Sequence, residues 1–295
     1  MKNLINLVFF LLLFNITSCA QKKDVHIILL AGQSNMAGHG DYEILDASLK
    51  KRLEKVADRV LLSTSDNPKI APRPLSYYTT EIEKYDFNKH FGPELFIGLT
   101  LAEANPKQEY LLIKKAVGGT SLYGAWSTDW SAEKNELAER GVRKKLKLYK
   151  AHLQNINANL TRLKKEGKTY KIIGLAWMQG ESDTNKEITA SSYQKNLQQL
   201  INGYRKQLKI ESLPFVIGQV NPLPRKFKKG PGLVRNGMEE VARLDNKIEI
   251  VKTELSLTKK WNDFPKHSDN LHYNTEGQKR LGTAFANKLI ALNKK

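Results

Sequence analysis

Short, almost continuous apolar runs alternate along this chain with longer amphipathic segments, and that alternation limits the fold more than any other feature. Val25 to Ala31 is the first run and stops at Gly32. Tyr110 to Val117 stops at Gly118-Gly119, Ile172 to Met178 at Gln179-Gly180, Leu213 to Val220 at Asn221-Pro222, and Ile248 to Thr253 in a polar stretch. Runs of this kind read as strands buried on both faces. Helical spacing occupies Pro93 to Ala104, Glu136 to Lys165, Ser191 to Leu208, Leu233 to Leu244 and Thr275 to Leu292. The pattern predicts an α/β fold with a mainly parallel sheet covered by helices on both faces. In such folds ligands gather at the carboxyl ends of the strands.

With 295 residues, 40% of them hydrophobic, the chain can bury one large core. It shows no internal repeat and no Pro-rich or Gly/Ser-rich linker, so one domain is expected over residues 24–295. The segment before it differs: Lys2, an apolar run from Leu4 to Phe14, then Ile16-Thr17-Ser18-Cys19 and the polar Gln21-Lys22-Lys23. This reads as a signal peptide over residues 1–19, too short in its apolar part to span a bilayer. Cys19 is the only cysteine, which excludes an intrachain disulfide and a thiolate metal site. Its setting resembles a bacterial lipobox, whose acylated cysteine becomes the mature N-terminus; the other reading is an ordinary secretory signal. The expectation is an exported protein, lipid-anchored in the cell envelope on the periplasmic side or at the cell surface. Two or three acyl chains would hold it stably.

The formal net charge is +18. The basic clusters at Arg143 to Lys150, Lys164-Lys165 and Arg225 to Lys229 carry no nucleic-acid-binding motif, and an exported protein rarely meets nucleic acid. No nucleic-acid partner is expected. Lipid headgroups or an acidic glycan would suit the charge, and so would a plain solvated surface.

Four short motifs carry the chemistry. Gly32-Gln33-Ser34-Asn35-Met36 follows the first strand, where a tight turn can project the Ser34 hydroxyl at the sheet edge or simply cap a helix. Asp269-Asn270-Leu271-His272 has the spacing that lets one carboxylate orient one imidazole, the base a serine hydroxyl needs. Of the other histidines, His267 is the rival, while His26, His39, His90 and His152 lack such a setting. Gly118-Gly119-Thr120 and Trp177-Met178-Gln179-Gly180-Glu181-Ser182-Asp183 both end strands. Glycine admits a close backbone N–H, and a glutamine amide can steady a developing oxyanion.

In this order the four motifs resemble the SGNH hydrolase superfamily, and within it the sialate O-acetylesterase and acetyl xylan esterase branch, carbohydrate esterase family 6. The resemblance spans Val25 to about Leu289. It implies a three-layer α/β/α sandwich of flavodoxin-like type, no metal or organic cofactor, and hydrolysis of an acetylated carbohydrate through an acyl-serine. Ser34 would be the nucleophile, His272 the base and Asp269 its orienting partner. The N–H groups of Ser34 and Gly119, with the Gln179 side chain, would form the oxyanion hole, with Gly118 a rival to Gly119. The superfamily's usual Gly-Asp-Ser is Gly-Gln-Ser here, and its usual asparagine is replaced by Gln179, which leaves that role less secure.

Glu181 would contact substrate or brace the site. Trp126 and Trp130 would stack on a sugar, pack in the core or anchor a loop, and Arg73, Tyr77 and Tyr78 lie in an insertion placed to shape specificity. The rival functions are an SGNH esterase for another acyl ester and a non-catalytic glycan-binding surface lipoprotein. The intact set of Ser34, Asp269 and His272 speaks against the second.

Overall fold

A computed structural model of the chain describes residues 24–294, apart from residues 66, 68, 82–84, 256 and 257. The signal segment and Cys19 lie outside the described residues.

Among the described residues a seven-stranded sheet runs β10-β9-β8-β1-β7-β3-β4. Its members are β1 (Val25–Gly32), β3 (Val60–Ser63), β4 (Arg73–Pro74), β7 (Tyr110–Ala116), β8 (Tyr170–Met178), β9 (Phe215–Gly218) and β10 (Ile248–Val251). All its pairings are parallel except the edge strand β4, which is antiparallel to β3. A small antiparallel sheet, β2-β6-β5, is built from Gly40–Asp41, Lys89–Phe91 and Tyr78–Thr79. The expected α/β architecture is therefore present, with the strongest apolar runs at its centre. Residues 27–31 of β1 are wholly buried.

Helices α2 (Ala47–Ala57), α3 (Glu94–Ala104) and α9 (Thr275–Lys294) cover one face; α5 (Leu148–Lys165), α7 (Tyr193–Leu208) and α8 (Gly230–Arg243) cover the other. Tyr193, Leu197, Leu200, Ile201 and Tyr204 show why α7 forms: at helical spacing they make one buried stripe. α3 and α9 cross closely. A Cβ added at Gly282 would lie 2.4 Å from the Pro93 carbonyl, so only glycine fits there.

Two parts depart from the sequence reading. The expected helix over Glu136 to Lys165 is three pieces: α4 (Ala132–Ala138), a 3₁₀ turn at Gly141–Lys145, and α5. Gly141 sits at φ 53°. Just before it, the Glu139 carboxylate is drawn inward by the Ser121 N–H and hydroxyl, each 2.7 Å away, and by the Ala125 N–H at 3.1 Å. This tertiary contact outweighs helix propensity. Strand β3 and helix α2 were not expected at all.

Candidate active site

The strand order places β1 between β7 and β8, so the turns after these three strands meet at one edge of the sheet. After β1 the chain passes through Gly32 and Gln33 into a single helical turn, α1 (Ser34–Ala37). The passage is tight: a Cβ at Gly32 would fall 2.0 Å from the Met178 carbonyl of β8. The Gln33 N–H donates to that same carbonyl at 2.9 Å.

The end of α1 is clamped from below. The Lys114 ammonium donates to the Ala37 carbonyl at 2.8 Å and pairs with Glu94 at 2.7 Å, where both side chains are buried. Burial pulls the Lys114 amine down, and Glu94 opposes that pull. Glu94 also accepts the Gly92 N–H at 3.0 Å, while the Tyr78 hydroxyl donates to the Gly38 carbonyl. Tyr78 thus holds the serine turn. Arg73 donates to the Tyr77 carbonyl at 2.8 Å, and Tyr77 stacks at a tilt on Tyr42 with centroids 4.7 Å apart.

Ser34 and His272 line one cavity of about 470 Å³, together with Gln33, Gly118 and Gly119. His272 Nδ1 lies 2.6 Å from Asp269 Oδ2. The other carboxylate oxygen accepts the N–H groups of Leu271 at 2.8 Å and His272 at 3.0 Å, so the carboxylate cannot swing away from the ring. An edge-on His39 ring packs on His272 at 4.7 Å. His267, the rival, lies 2.8 Å from the His39 carbonyl through its Nε2 and does not line the cavity. The Ser34 hydroxyl bonds to no described residue; such contacts commonly tighten only when substrate binds.

Gly118 lies close beside the serine: a Cβ there would lie 3.4 Å from Ser34 Cβ. Gly119 follows at φ 72°, a conformation that favours glycine. Neither N–H donates to an acceptor among the described residues, so both remain as donors.

Gln179 is not at the cavity, which corrects the expected placement. It is fully buried, and its amide nitrogen donates to Asp183 at 2.6 Å, to the Thr120 carbonyl at 2.9 Å and, weakly, to the Gln33 side-chain oxygen at 3.3 Å. The Ser182 N–H also reaches that Gln33 oxygen at 3.3 Å. A backbone N–H can only donate, so the Gln33 oxygen points inward. The Gln33 amide nitrogen, with no acceptor among the described residues, is the end left to the cavity. Asp183 in turn accepts the Leu122 N–H at 2.9 Å and the Tyr123 N–H at 3.1 Å. Burial pushes its carboxyl up to about 7 against these hydrogen bonds.

Glu181 also does not line the cavity. It is buried and accepts the Asn35 amide at 2.7 Å. Asn35 also donates to the Leu271 carbonyl at 3.2 Å and accepts the Tyr273 N–H at 3.0 Å, gripping the backbone on both sides of His272.

Of the readings open for Trp126, core packing is the one the structure shows: it is fully buried, with its ring edge-on to Trp177 at 5.1 Å. Trp130 anchors a loop by donating to the Leu146 carbonyl at 2.9 Å, beneath the Lys147 ammonium at 4.0 Å. Among the described residues no group of three or more His, Cys, Asp or Glu side chains is placed to hold a metal ion.

Gln33, Asn35 and the Lys114–Glu94 pair are contributors to which the sequence reading gave no role. A lysine inside the apolar run of β7 and a glutamate opening an apolar helix were the available signal for that pair.

A family model described as carbohydrate esterase, sialic acid-specific acetylesterase, matches residues 24–291. A probable carbohydrate esterase of Arabidopsis thaliana is 28% identical over 276 residues, covering 88% of each chain. Among solved structures, an Arabidopsis thaliana protein superposes with a TM-score of 0.64 at 21% identity, over 91% of this chain and 99% of that one. NanS superposes with a TM-score of 0.61 at 16% identity, over 92% of this chain and 99% of that one. At these identities the two structures share the fold.

Proposed function

Since the chain belongs to the family of carbohydrate esterases described as sialic acid-specific acetylesterases, we propose that it removes O-acetyl groups from a carbohydrate through an acetyl-serine intermediate, with Ser34, His272 and Asp269 as its triad. The observation that carries this reading is the 2.6 Å contact between His272 Nδ1 and an Asp269 carboxylate locked by two backbone N–H groups, beside Ser34 in one cavity.

In this mechanism the Ser34 hydroxyl attacks the acetyl carbonyl carbon while His272 takes its proton. Asp269 holds the ring by its Nδ1–H and offsets the charge it gains. The negative oxygen of the tetrahedral intermediate meets the N–H groups of Ser34 and Gly119. The Gln33 amide supplies the third donor, and Gln179 acts through Gln33 by holding its oxygen. The intermediate collapses, the C–O bond to the sugar breaks, and His272 returns the proton to the departing hydroxyl. Water then attacks the acetyl-serine with His272 again as base, releasing acetate.

Export and acylation at Cys19 belong to the same proposal and rest on the sequence alone. Labelling with a radioactive fatty acid, in the native chain and in Cys19→Ala, tests them. Acetate release from acetylated glycans and p-nitrophenyl acetate, by the native protein and by Ser34→Ala, tests the activity. Release by the first and not the second supports the reading. No release by a folded native protein would sink it.

A further inference from the structure

We infer that Asp183, as a carboxylate, is the positioning residue that holds two donors in place, the Gly119 N–H and the Gln33 amide; that these donors meet an oxyanion rests on the function proposed above. Asp183 is fully buried at the start of a 3₁₀ turn, Asp183–Asn185, and does not line the cavity. Three donors converge on its side chain: the Leu122 N–H at 2.9 Å, the Tyr123 N–H at 3.1 Å and the Gln179 amide at 2.6 Å. Successive backbone N–H groups aimed at one anion form a small nest. Among the described residues no lysine, arginine or histidine lies within ion-pair distance of it, although α6 (Glu187–Ser191) and α8 both pack on this turn. A buried carboxylate without a cation is costly, and groups so perturbed cluster at functional sites.

Both donors depend on this one carboxylate. On the Gly119 side it holds the backbone at Leu122 and Tyr123, and it orients Gln179, which also donates to the Thr120 carbonyl at 2.9 Å. The Thr120 hydroxyl closes the turn by donating to the Val117 carbonyl at 2.7 Å. The Gly-Gly turn is therefore fixed from its far end by Asp183 and Gln179 together. On the Gln33 side, two groups hold the side-chain oxygen at 3.3 Å: the Gln179 amide, and the N–H of Ser182, the chain neighbour of Asp183.

The charged form is needed because Asp183 accepts in each of these side-chain bonds. A carboxylic acid must donate through one oxygen, and the groups that meet this one are all donors. Gln179 cannot turn its oxygen toward the new proton without setting it against the Thr120 carbonyl. Burial pushes the Asp183 carboxyl up to about 7, and the charge of Glu139 from the end of α4 adds to that push against the hydrogen bonds. The buried Tyr193 hydroxyl of α7 stays protonated beside it and donates to the Gln179 carbonyl at 2.8 Å, while Glu181 turns to Asn35. Below pH 7 the nest therefore loosens, and both donors loosen with it.

The test follows kcat/KM for p-nitrophenyl acetate from pH 5 to pH 9. Protonation of His272 alone gives the acid limb a logarithmic slope of about one, and a second required carboxylate brings it to about two. Asp183→Asn sets an amide nitrogen against the converging donors. It should lower kcat at pH 8 by about 100-fold with KM little changed, and return the slope to about one. A role in folding alone would leave the slope as it is in the native protein. A native slope of about one, or a folded Asp183→Asn with native kcat, overturns the proposal and leaves the esterase reading standing. Amide-proton NMR needs no substrate and separates the other failure. In the native protein the Gly119 N–H and the Gln33 amide should titrate together with the Leu122 and Tyr123 N–H groups, which report Asp183 directly, at one midpoint of about 7. That midpoint should vanish in Asp183→Asn; should the variant not fold, the shared midpoint in the native protein decides. Shared titration with no ester cleaved by the native protein would keep the role of Asp183 and sink the esterase.

Discussion

Asn35 and Glu181 meet 2.7 Å apart inside the protein, although 146 positions separate them in the chain. Through this contact the turn after β8 holds the residue beside Ser34, and that residue holds the backbone on both sides of His272. One amide therefore sets how the serine segment and the histidine segment face each other.

Asn35→Asp should show how much depends on that amide. It places two carboxylates against each other in a buried site, and such pairs ionise together only at high cost. The thermal midpoint of the variant should fall well below that of the native protein at pH 8, and by less at pH 5, where the pair can share a proton. Acetate release at pH 8 should drop at least tenfold. A variant with native melting at both pH values would show that the contact carries little.

Asp269→Asn keeps the shape of the carboxylate and presents an amide to His272 Nδ1. The ring would then adopt the wrong tautomer, and kcat is expected to fall by about 10³–10⁴-fold with the melting temperature nearly unchanged. Steady-state kinetics and a thermal scan on one preparation test it.

Gln33→Glu tests the third oxyanion donor. The new carboxylate can still accept from Gln179 and the Ser182 N–H, but it offers the cavity an acceptor in place of an N–H. kcat should fall about 100-fold with little change in KM. A rise in KM alone would assign Gln33 to ground-state binding.

His152 should set part of the acid sensitivity of the fold. Its ring is wholly buried, lying 2.7 Å from the Tyr204 hydroxyl and 3.2 Å from the Ile113 carbonyl. Burial lowers its pKa from 6.5 to about 4. A lowered folded pKa contributes stability that is present above 6.5 and is lost as pH falls toward 4, because only the unfolded chain takes up the proton. The loss should run at about 1.4 kcal/mol per pH unit across that window. His152→Gln should be less stable than the native protein at pH 7.5, and denaturant melts should show a flatter decline between pH 6.5 and 4.5.

What the sequence discloses here follows from range. β1, β7 and β8 are legible because strands buried on both faces leave unbroken apolar runs, and each ends in the motif that forms the site. The Asp269-to-His272 pairing is legible because it spans one local turn. β3 escapes notice as a four-residue strand, Val60–Ser63, too short for periodicity to register. The break at Gly141, the burial of Trp126 and the inward turn of Gln179 depend on partners brought near only by folding. Glu139 meets Ser121, Trp126 meets Trp177, and Gln179 meets Thr120 and Gln33.

β1 enters the sheet at Val25 and delivers Gln33 and Ser34 at its far end, a traverse of eight residues or roughly 26 Å. The chain's point of entry and the mouth of the cavity therefore lie at opposite poles of the sheet.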